Sequence, residues 1–483
     1  MAERCALLVL GVLNLLGSTV PARAQAAANP ALARLVTPSD WPATLAGTGA
    51  FSDPALLVPG PAVLPYDINV PFWSDGAIKR RWFALPTPGM RLGFRPEGNW
   101  DLPVGSVWIK HFDLQLVTGD PASARRIETR LLVRTGNGVM GATYRWGDSR
   151  TDAMLVPEQG LEETFEIQTG GQRRTQRWRY PSREQCLRCH TAVAGFALGF
   201  NTPQLNRDCP DLALPRNQLA RWNGEGRFAT NVTAIHTLRA LAHATNTGAS
   251  VEFRVRSYLA ANCVQCHQPG GVPWSYWDAR ITTPLAATGL IGGPLYDELE
   301  NPDNRVVVPG DPIHSVLLAR LQLLDYTHMP PLGTSVLNQE AIALLTDWIT
   351  NKVTGYRSLA AWQTQYFGGG GSNPMAAPGA DPDGDGVTNL DEYLTGGDPG
   401  QAADVWQLGV ARSEAGVRLS FRQPANRSGV VEWNREPGNP SGWLPLDVPG
   451  NHPWFPAAAR DVTLLDPDAA NAAKYYRVRI EAP

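Results

Sequence analysis

The sequence has few cysteines, few methionines and little net charge. Of 483 residues, six are cysteine and six are methionine, and 42 basic against 45 acidic residues leave a formal net charge of −3. So small a charge excludes the strongly basic field typical of nucleic-acid binding. Six cysteines leave room for few disulfides. Beyond residue 24 no apolar run approaches 18 residues, so the sequence predicts no membrane span.

Glycine, proline and aromatic residues are abundant. The chain has 47 glycines, 41 prolines and 16 tryptophans, and 43% of its residues are hydrophobic. This composition favours strands, turns and loops over long helices, and it supplies several hydrophobic cores. The length indicates three or four domains.

Residues 1–24 have the pattern of a secretory signal peptide. Arg4 precedes the short apolar run ALLVLGVLNLLG, and Ala22-Arg23-Ala24 forms a small-residue cleavage site. We therefore expect cleavage after Ala24 and a periplasmic or extracellular protein. Cys5 would be removed with this peptide.

Four of the five remaining cysteines occur in two C-x-x-C-H motifs, the signature of covalent c-type haem attachment. In this pattern the two thiols bind one haem and the adjacent histidine is its proximal ligand. Adjacent C-x-x-C pairs make poor structural disulfides, and a zinc site would not need a histidine after each second cysteine. A thioredoxin-like site would need one pair in a βαβ setting. The sequence therefore predicts two haem c groups, bound by Cys186, Cys189 and His190 and by Cys263, Cys266 and His267.

Residues 246–357 carry the second motif and a candidate distal ligand. A helix is predicted to run into CVQCH, and a later helix is predicted to start at the N-cap Asn338. Between them Met329 lies in the stiff loop MPPLG, where its sulfur can be held over iron, and His328 is a weaker candidate. This segment resembles a class I cytochrome c domain, which implies coordination by His267 and Met329.

The first haem segment, residues 181–245, has no methionine after its motif. The sequence leaves five residues as candidates for its distal ligand, and two of them, His236 and His243, fall in one predicted helix. Without such a ligand the haem is five-coordinate and open to small molecules. The candidates are His111, His236, His243, Met140 and Met154.

Residues 31–180 alternate apolar and polar residues and predict a β-rich domain packed on the first haem segment. Together with residues 66–82, the segments ETRLLVR, YRWGDSRTDA and YPSREQCLRCH resemble a family of exported bacterial dihaem c-type proteins of uncharacterised role, over about residues 50–355. The resemblance implies a redox protein and names no substrate. Asp75, Lys79 and Arg80 are expected in a solvated face or salt bridge.

The C-terminal part begins with a predicted linker at residues 358–376. Residues 377–400 contain DPDGDGVTNLDE, which matches the D-x-D-x-D-G-x5-E calcium loop and resembles one dockerin or thrombospondin type-3 repeat. Residues 401–483 predict a β-sandwich for attachment to the cell envelope or to polysaccharide. The expected calcium ligands are Asp381, Asp383, Asp385, Val387, Asn389 and Glu392.

These observations predict a multidomain fold with a β-rich N-terminal domain, a mostly α-helical cytochrome c region and a small C-terminal β-sandwich. The function they favour is electron transfer to and from redox partner proteins through two haems, with one bound Ca²⁺. A dihaem peroxidase or dehydrogenase subunit with a reactive first haem is the alternative, and a surface-attachment protein with accessory haems is another.

Overall fold

The computed structural model describes residues 29–209, 216–368, 373–468 and 473–483. The predicted signal peptide lies outside the described residues, as does the middle of the glycine-rich linker at 369–372. Within the described ranges, no helix is both long enough and apolar enough to cross a membrane.

The N-terminal region is β-rich, as predicted. After a short helix α1 (Pro30–Ala33), an antiparallel ribbon leads into a six-stranded antiparallel sheet in the order β3-β4-β5-β6-β7-β8, and a separate hairpin follows. The ribbon is β1 (Phe51–Asp53) with β2 (Val58–Pro59), the sheet is β3 (Leu64–Tyr66), β4 (Ile78–Ala84), β5 (Val107–Gln115), β6 (Ala124–Thr135), β7 (Gly138–Arg145) and β8 (Met154–Leu155), and the hairpin is β9 (Leu161–Thr169) with β10 (Gln172–Tyr180).

The six-stranded sheet buries both faces, and strand alternation decides which residues face which core. On β5, Val107 and Ile109 join a cluster with the N-terminal segment, whereas Trp108 points to the opposite face. There Trp108 packs with Phe200 and Trp222 from the following segment. Each such buried aromatic contributes about 1.5–3 kcal/mol. Residues from the 181–245 segment are therefore part of the sheet's own core.

The prediction of a mostly α-helical cytochrome c region is wrong. The chain is 21% helical and 27% strand, and between residues 181 and 357 short helices are separated by long loops. Seven prolines and several glycines at positive φ lie between Cys263 and Val316, where they interrupt helix formation. The helices here are α2 (Arg183–Cys189), α3 (Thr202–Leu205), α4 (Gln218–Gly224), α5 (Val251–Asn262), α6 (Val316–Gln322) and α7 (Gln339–Asp347), which continues as a π-helical turn (Trp348–Lys352).

The C-terminal region consists of two short helices and two three-stranded antiparallel sheets that share one core. It packs against residues 246–357: Ser250 N–H donates to the Phe455 carbonyl at 2.8 Å, and the Phe253 and Phe455 rings are 4.6 Å apart. The elements are α8 (Leu359–Phe367), α9 (Asn389–Thr395), β11 (Gly409–Ser413), β12 (Gly416–Gln423), β13 (Ser428–Asn434), β14 (Leu444–Pro445), β15 (Arg460–Asp466) and β16 (Tyr475–Glu481).

Candidate functional site

The first C-x-x-C-H motif lies on α2 and the residue that caps it. Ser182 and Gln185 form a reciprocal capping box that starts this helix. Cys186 and Cys189 are three residues apart, so their thiols share one helical face. The helix lies on β7 at Gly141, where an added Cβ would approach the Cys186 sulfur to 3.2 Å. The absence of a side chain at that position lets the motif pack against the sheet.

A cavity lies between this helix, the six-stranded sheet and a loop of the second haem region. It is open on one side, and its void space of about 1660 Å³ includes solvent at the mouth. Both thiols and His190 line it, as do residues 331–335. The side chains of the first C-x-x-C-H motif therefore face one cavity, together with a loop that follows Met329.

His190 is held in the tautomer that a proximal ligand requires. Its Nδ1 lies 2.5 Å from the carbonyl oxygen of Phe196, and because a carbonyl only accepts, Nδ1 carries the proton. Nε2 is then left as the lone-pair nitrogen available to iron. Burial lowers the pKa of His190 to about 4, so the ring is neutral at pH 7.

The second motif follows α5, with Cys263 as the C-cap residue. His267 Nδ1 lies 2.6 Å from Ser275 Oγ, which itself donates to the Trp277 carbonyl, so Nδ1–H is again the donor. The His267 ring stacks on Trp277 at 4.2 Å, and burial lowers its pKa to about 4. This histidine is therefore also oriented and neutral, with Nε2 available for a metal.

The two motifs lie next to each other. The Gln268 side chain donates to the Val193 carbonyl at 3.3 Å, which joins the loops that follow the two histidines. Burial, and next the charge of Cys266, raise the pKa of Cys189 to about 11. The five cysteines at positions 186–266 form no disulfide with one another. All five are therefore free thiols.

Met329 is partly buried, and its backbone N–H donates to the Arg320 carbonyl at 3.0 Å. Burial first, and then the Arg320 guanidinium, lower the pKa of His267. His328 beside Met329 is buried, and burial lowers its pKa. Met329 thus lies in a partly buried loop that is anchored to Arg320, whose charge acts on His267.

The Met329 loop is tied to the N-terminal domain by Asp75. This carboxylate is 6% exposed and accepts from the backbone N–H of Ser335 at 2.7 Å, from that of Val336 at 2.9 Å and from the Ser335 hydroxyl. Trp73 Nε1 donates to the Val336 carbonyl at 2.7 Å, and the Trp73 backbone N–H donates to Asn262, next to Cys263. We call these contacts the Asp75 clamp.

Asp75, Lys79 and Arg80 were expected in a solvated face or salt bridge, and only Arg80 is found in one. Arg80 is half-exposed and pairs with Asp113 at 2.9 Å. Lys79 donates to the Phe72 carbonyl at 2.7 Å, and burial lowers its pKa to about 7. The sequence analysis did not predict the Asp75 clamp, although the segment 66–82, which contains Asp75, stood out as a distinctive motif.

Neither His111 nor Met140 reaches the first cavity. His111 is fully buried, and its two ring nitrogens contact Thr129 at 2.8 Å and Asp113 at 3.0 Å. Strand alternation puts it on the face opposite Lys110, which does line the cavity. Met140 packs in the cluster on that same far face.

The remaining candidates for the first haem also lie elsewhere. Met154 is 58% exposed, and His236 is exposed. His243 contacts Thr245 at 2.9 Å. The predicted helix around these histidines is replaced by one 3₁₀ turn, Ile235–Thr237, after a left-handed Ala234. Among the described residues that line the cavity, His190 is the single histidine, and no methionine is present.

The acidic loop of the C-terminal region is folded around its own carboxylates. Asp381 accepts from the backbone of Gly384 at 2.8 Å and of Gly386 at 2.9 Å, and Asp385 accepts from Val387 N–H at 2.7 Å. Oxygens of the three predicted aspartates lie within 4.8 Å of one another. Gly386 has φ +92°, which a side chain would oppose.

Buried acceptor oxygens without partners complete this loop. Glu392 is 1% exposed, and neither of its carboxylate oxygens has a hydrogen-bond partner in the described chain. Burial, with the nearby aspartates, raises its pKa to about 7. Asn389 donates to Met375 and Ala377, while its Oδ1 stays buried and unpartnered. Such a set of acceptor-only oxygens fits a hard cation.

Comparison with known proteins returned no counterpart for this chain. No family model matches it, no curated protein matches it, and no solved structure matches it.

Proposed function

We propose that the chain is an exported dihaem c-type cytochrome that transfers electrons through haems bound at Cys186/Cys189 and Cys263/Cys266. The observation that carries the proposal is that both motif histidines are neutral and held at Nδ1, which leaves Nε2 for iron. A disulfide would not require this orientation, and a zinc site would not require a histidine directly after each second cysteine. Contact between the two motif loops further supports exchange between the sites.

In this proposal the haems supply the one-electron chemistry, and the protein attaches, orients and buries them. Four thiols form the covalent links, and His190 and His267 provide the proximal nitrogens. Met329 provides a sulfur for the second haem, which favours a relatively high potential. No general acid, base or nucleophile is required.

The test is an optical and EPR spectrum of the purified protein, together with a haem assay under denaturing conditions. We expect two covalently retained haems, and a weak sulfur-to-iron charge-transfer band that disappears in Met329→Ala. The double variant Cys186→Ala/Cys189→Ala is the matched control, because it should lose first-haem attachment and retain that band. A protein without covalent haem, or a band that persists in Met329→Ala, would refute the corresponding assignment.

A second candidate is a dihaem oxidoreductase whose first haem is reactive. It is favoured by one observation: none of the five candidate distal ligands lines the described cavity at Cys186. Carbon monoxide added to the reduced protein should then bind at one haem. Absence of binding at either haem would sink this candidate and leave the electron carrier.

The calcium loop and C-terminal region complete the proposal. The loop binds one Ca²⁺ through Asp381, Asp383, Asp385, Val387, Asn389 and Glu392, and the region beyond it attaches to envelope or polysaccharide. Redox partner proteins meet the chain in the periplasm or outside the cell. Cell fractionation and retention of a variant lacking residues 368–483 test this, since unchanged surface retention would contradict attachment by the tail.

A further inference from the structure

Three basic residues lie side by side in the wall of the cavity at Cys186. Arg81 on β4, Lys110 on β5 and Arg130 on β6 are directly opposed in the strand register and line the cavity that holds Cys186. Like charges directly opposite on neighbouring strands destabilise a sheet. An arrangement of this kind at the centre of a six-stranded sheet therefore requires compensating negative charge.

The counter-charge near Arg81 is incomplete. Its side chain is 6% exposed, and Nη1 reaches Asp67 only at 3.5 Å, while that carboxylate is half-exposed and pairs with Arg207 at 2.9 Å. Its Nη2 is buried without a hydrogen-bond partner in the described chain. A desolvated guanidinium with an unused donor is costly unless another acceptor faces it.

Lys110 has no direct partner among the described residues, and the carboxylate whose charge acts on it, Glu128, is shared with Arg130. Its Nζ makes no hydrogen bond or ion pair to any residue that the structure describes, and it lies 4.9 Å from the centre of the Phe112 ring. Arg130 is paired with Glu128. Asp75, the carboxylate on the cavity wall, is already engaged by the Ser335 and Val336 amides. The row thus carries more positive charge than the described residues neutralise.

We propose that Arg81, Lys110 and Arg130 form an anion site that binds carboxylate groups inside the first cavity. Arginine binds carboxylates by paired N–H donors, and lysine adds a point charge. The carboxylates come either from the side chains of a haem attached at Cys186 and Cys189 or from a free small organic acid entering the open mouth. Only the first source rests on the proposed function.

The test compares Lys110→Met with Arg80→Met in the full-length holoprotein. Both substitutions remove one positive charge, but Arg80 lies on the opposite face of the sheet and pairs with Asp113 at the surface. Three quantities are measured for each variant: the thermal midpoint, the two haem potentials, and calorimetric binding of sodium oxalate. The first haem is identified as the one whose potential Met329→Ala leaves unchanged.

If haem carboxylates occupy the site, Lys110→Met lowers the thermal midpoint and shifts the first haem's potential to more negative values, and Arg80→Met does neither. If a free acid occupies it, wild type binds oxalate at least tenfold more tightly than Lys110→Met, with both potentials unchanged. A raised thermal midpoint in Lys110→Met, with no potential shift and no oxalate preference, overturns the anion site because only repulsion was relieved.

The outcomes for haem attachment and for the anion site remain separable. A protein without haem at Cys186 defeats the proposed function, and the oxalate and melting measurements still decide the anion site. Should Lys110→Met fail to fold, Lys110→Gln replaces it in the same three measurements, and the same outcomes decide the anion site.

Discussion

Replacement of Asp75 by alanine should release the loop that carries Met329 from the N-terminal domain. The substitution removes the acceptor for the Ser335 and Val336 amides, whereas the Ser335 hydroxyl keeps the Arg177 carbonyl as a partner. Each buried donor left without an acceptor costs about 1–3 kcal/mol. Asp75 also has φ +53°, a conformation that costs alanine about 1 kcal/mol.

These contributions predict a local loss of about 3–7 kcal/mol. The suitable assay is hydrogen exchange of the peptide spanning residues 329–338, because it reports the local opening of this loop rather than unfolding of the whole chain. Since about 1.4 kcal/mol corresponds to a tenfold change, protection of the Ser335 and Val336 amides should fall at least about a hundredfold.

Asp75→Asn is the matched control. Asparagine tolerates positive φ and keeps one acceptor oxygen for the two amides, so it should lower protection by less than about tenfold. Protection in Asp75→Ala within about twofold of wild type would refute the clamp and the energies derived from it. Equal losses in both variants would show that charge, rather than hydrogen bonding, holds the loop.

Three further outcomes are expected. Arg145, and secondarily Tyr180, lower the pKa of Glu163 despite partial burial, so the ionised carboxylate stabilises the fold above the ordinary carboxyl pKa of 4.5 and this stabilisation is lost as the pH falls below it. Glu163→Gln should therefore be about 1 kcal/mol less stable than wild type at pH 7, and its stability should fall less steeply with acid. An unchanged dependence of stability on acid pH would contradict this. The double variant Cys263→Ala/Cys266→Ala should reduce covalently bound haem by one equivalent, measured by mass spectrometry, while an unchanged mass increment would contradict attachment there. Calcium should protect residues 377–400 from proteolysis, EDTA should remove that protection, and Glu392→Gln should weaken it; an EDTA-insensitive digest would contradict the loop assignment.

Local motifs were predictable from the sequence because they depend on neighbouring residues. The helix start at Asn338 is confirmed, with its side chain accepting from Ala341 N–H. Strand alternation correctly indicated the β-rich N-terminal region. The helical content of the haem region was overestimated, because short apolar stripes were extended across segments that prolines and glycines interrupt.

The sequence by itself determined the two C-x-x-C-H motifs, the spacing of the acidic loop and the scarcity of other candidate ligands, since each is a property of residues close in the chain. Only the tertiary structure decided that Asp75 holds Ser335, 260 residues away, and that Arg81, Lys110 and Arg130 meet in one row. These contacts arise from strand register and from domain packing. Both are set by the burial of whole faces, which no single local pattern specifies.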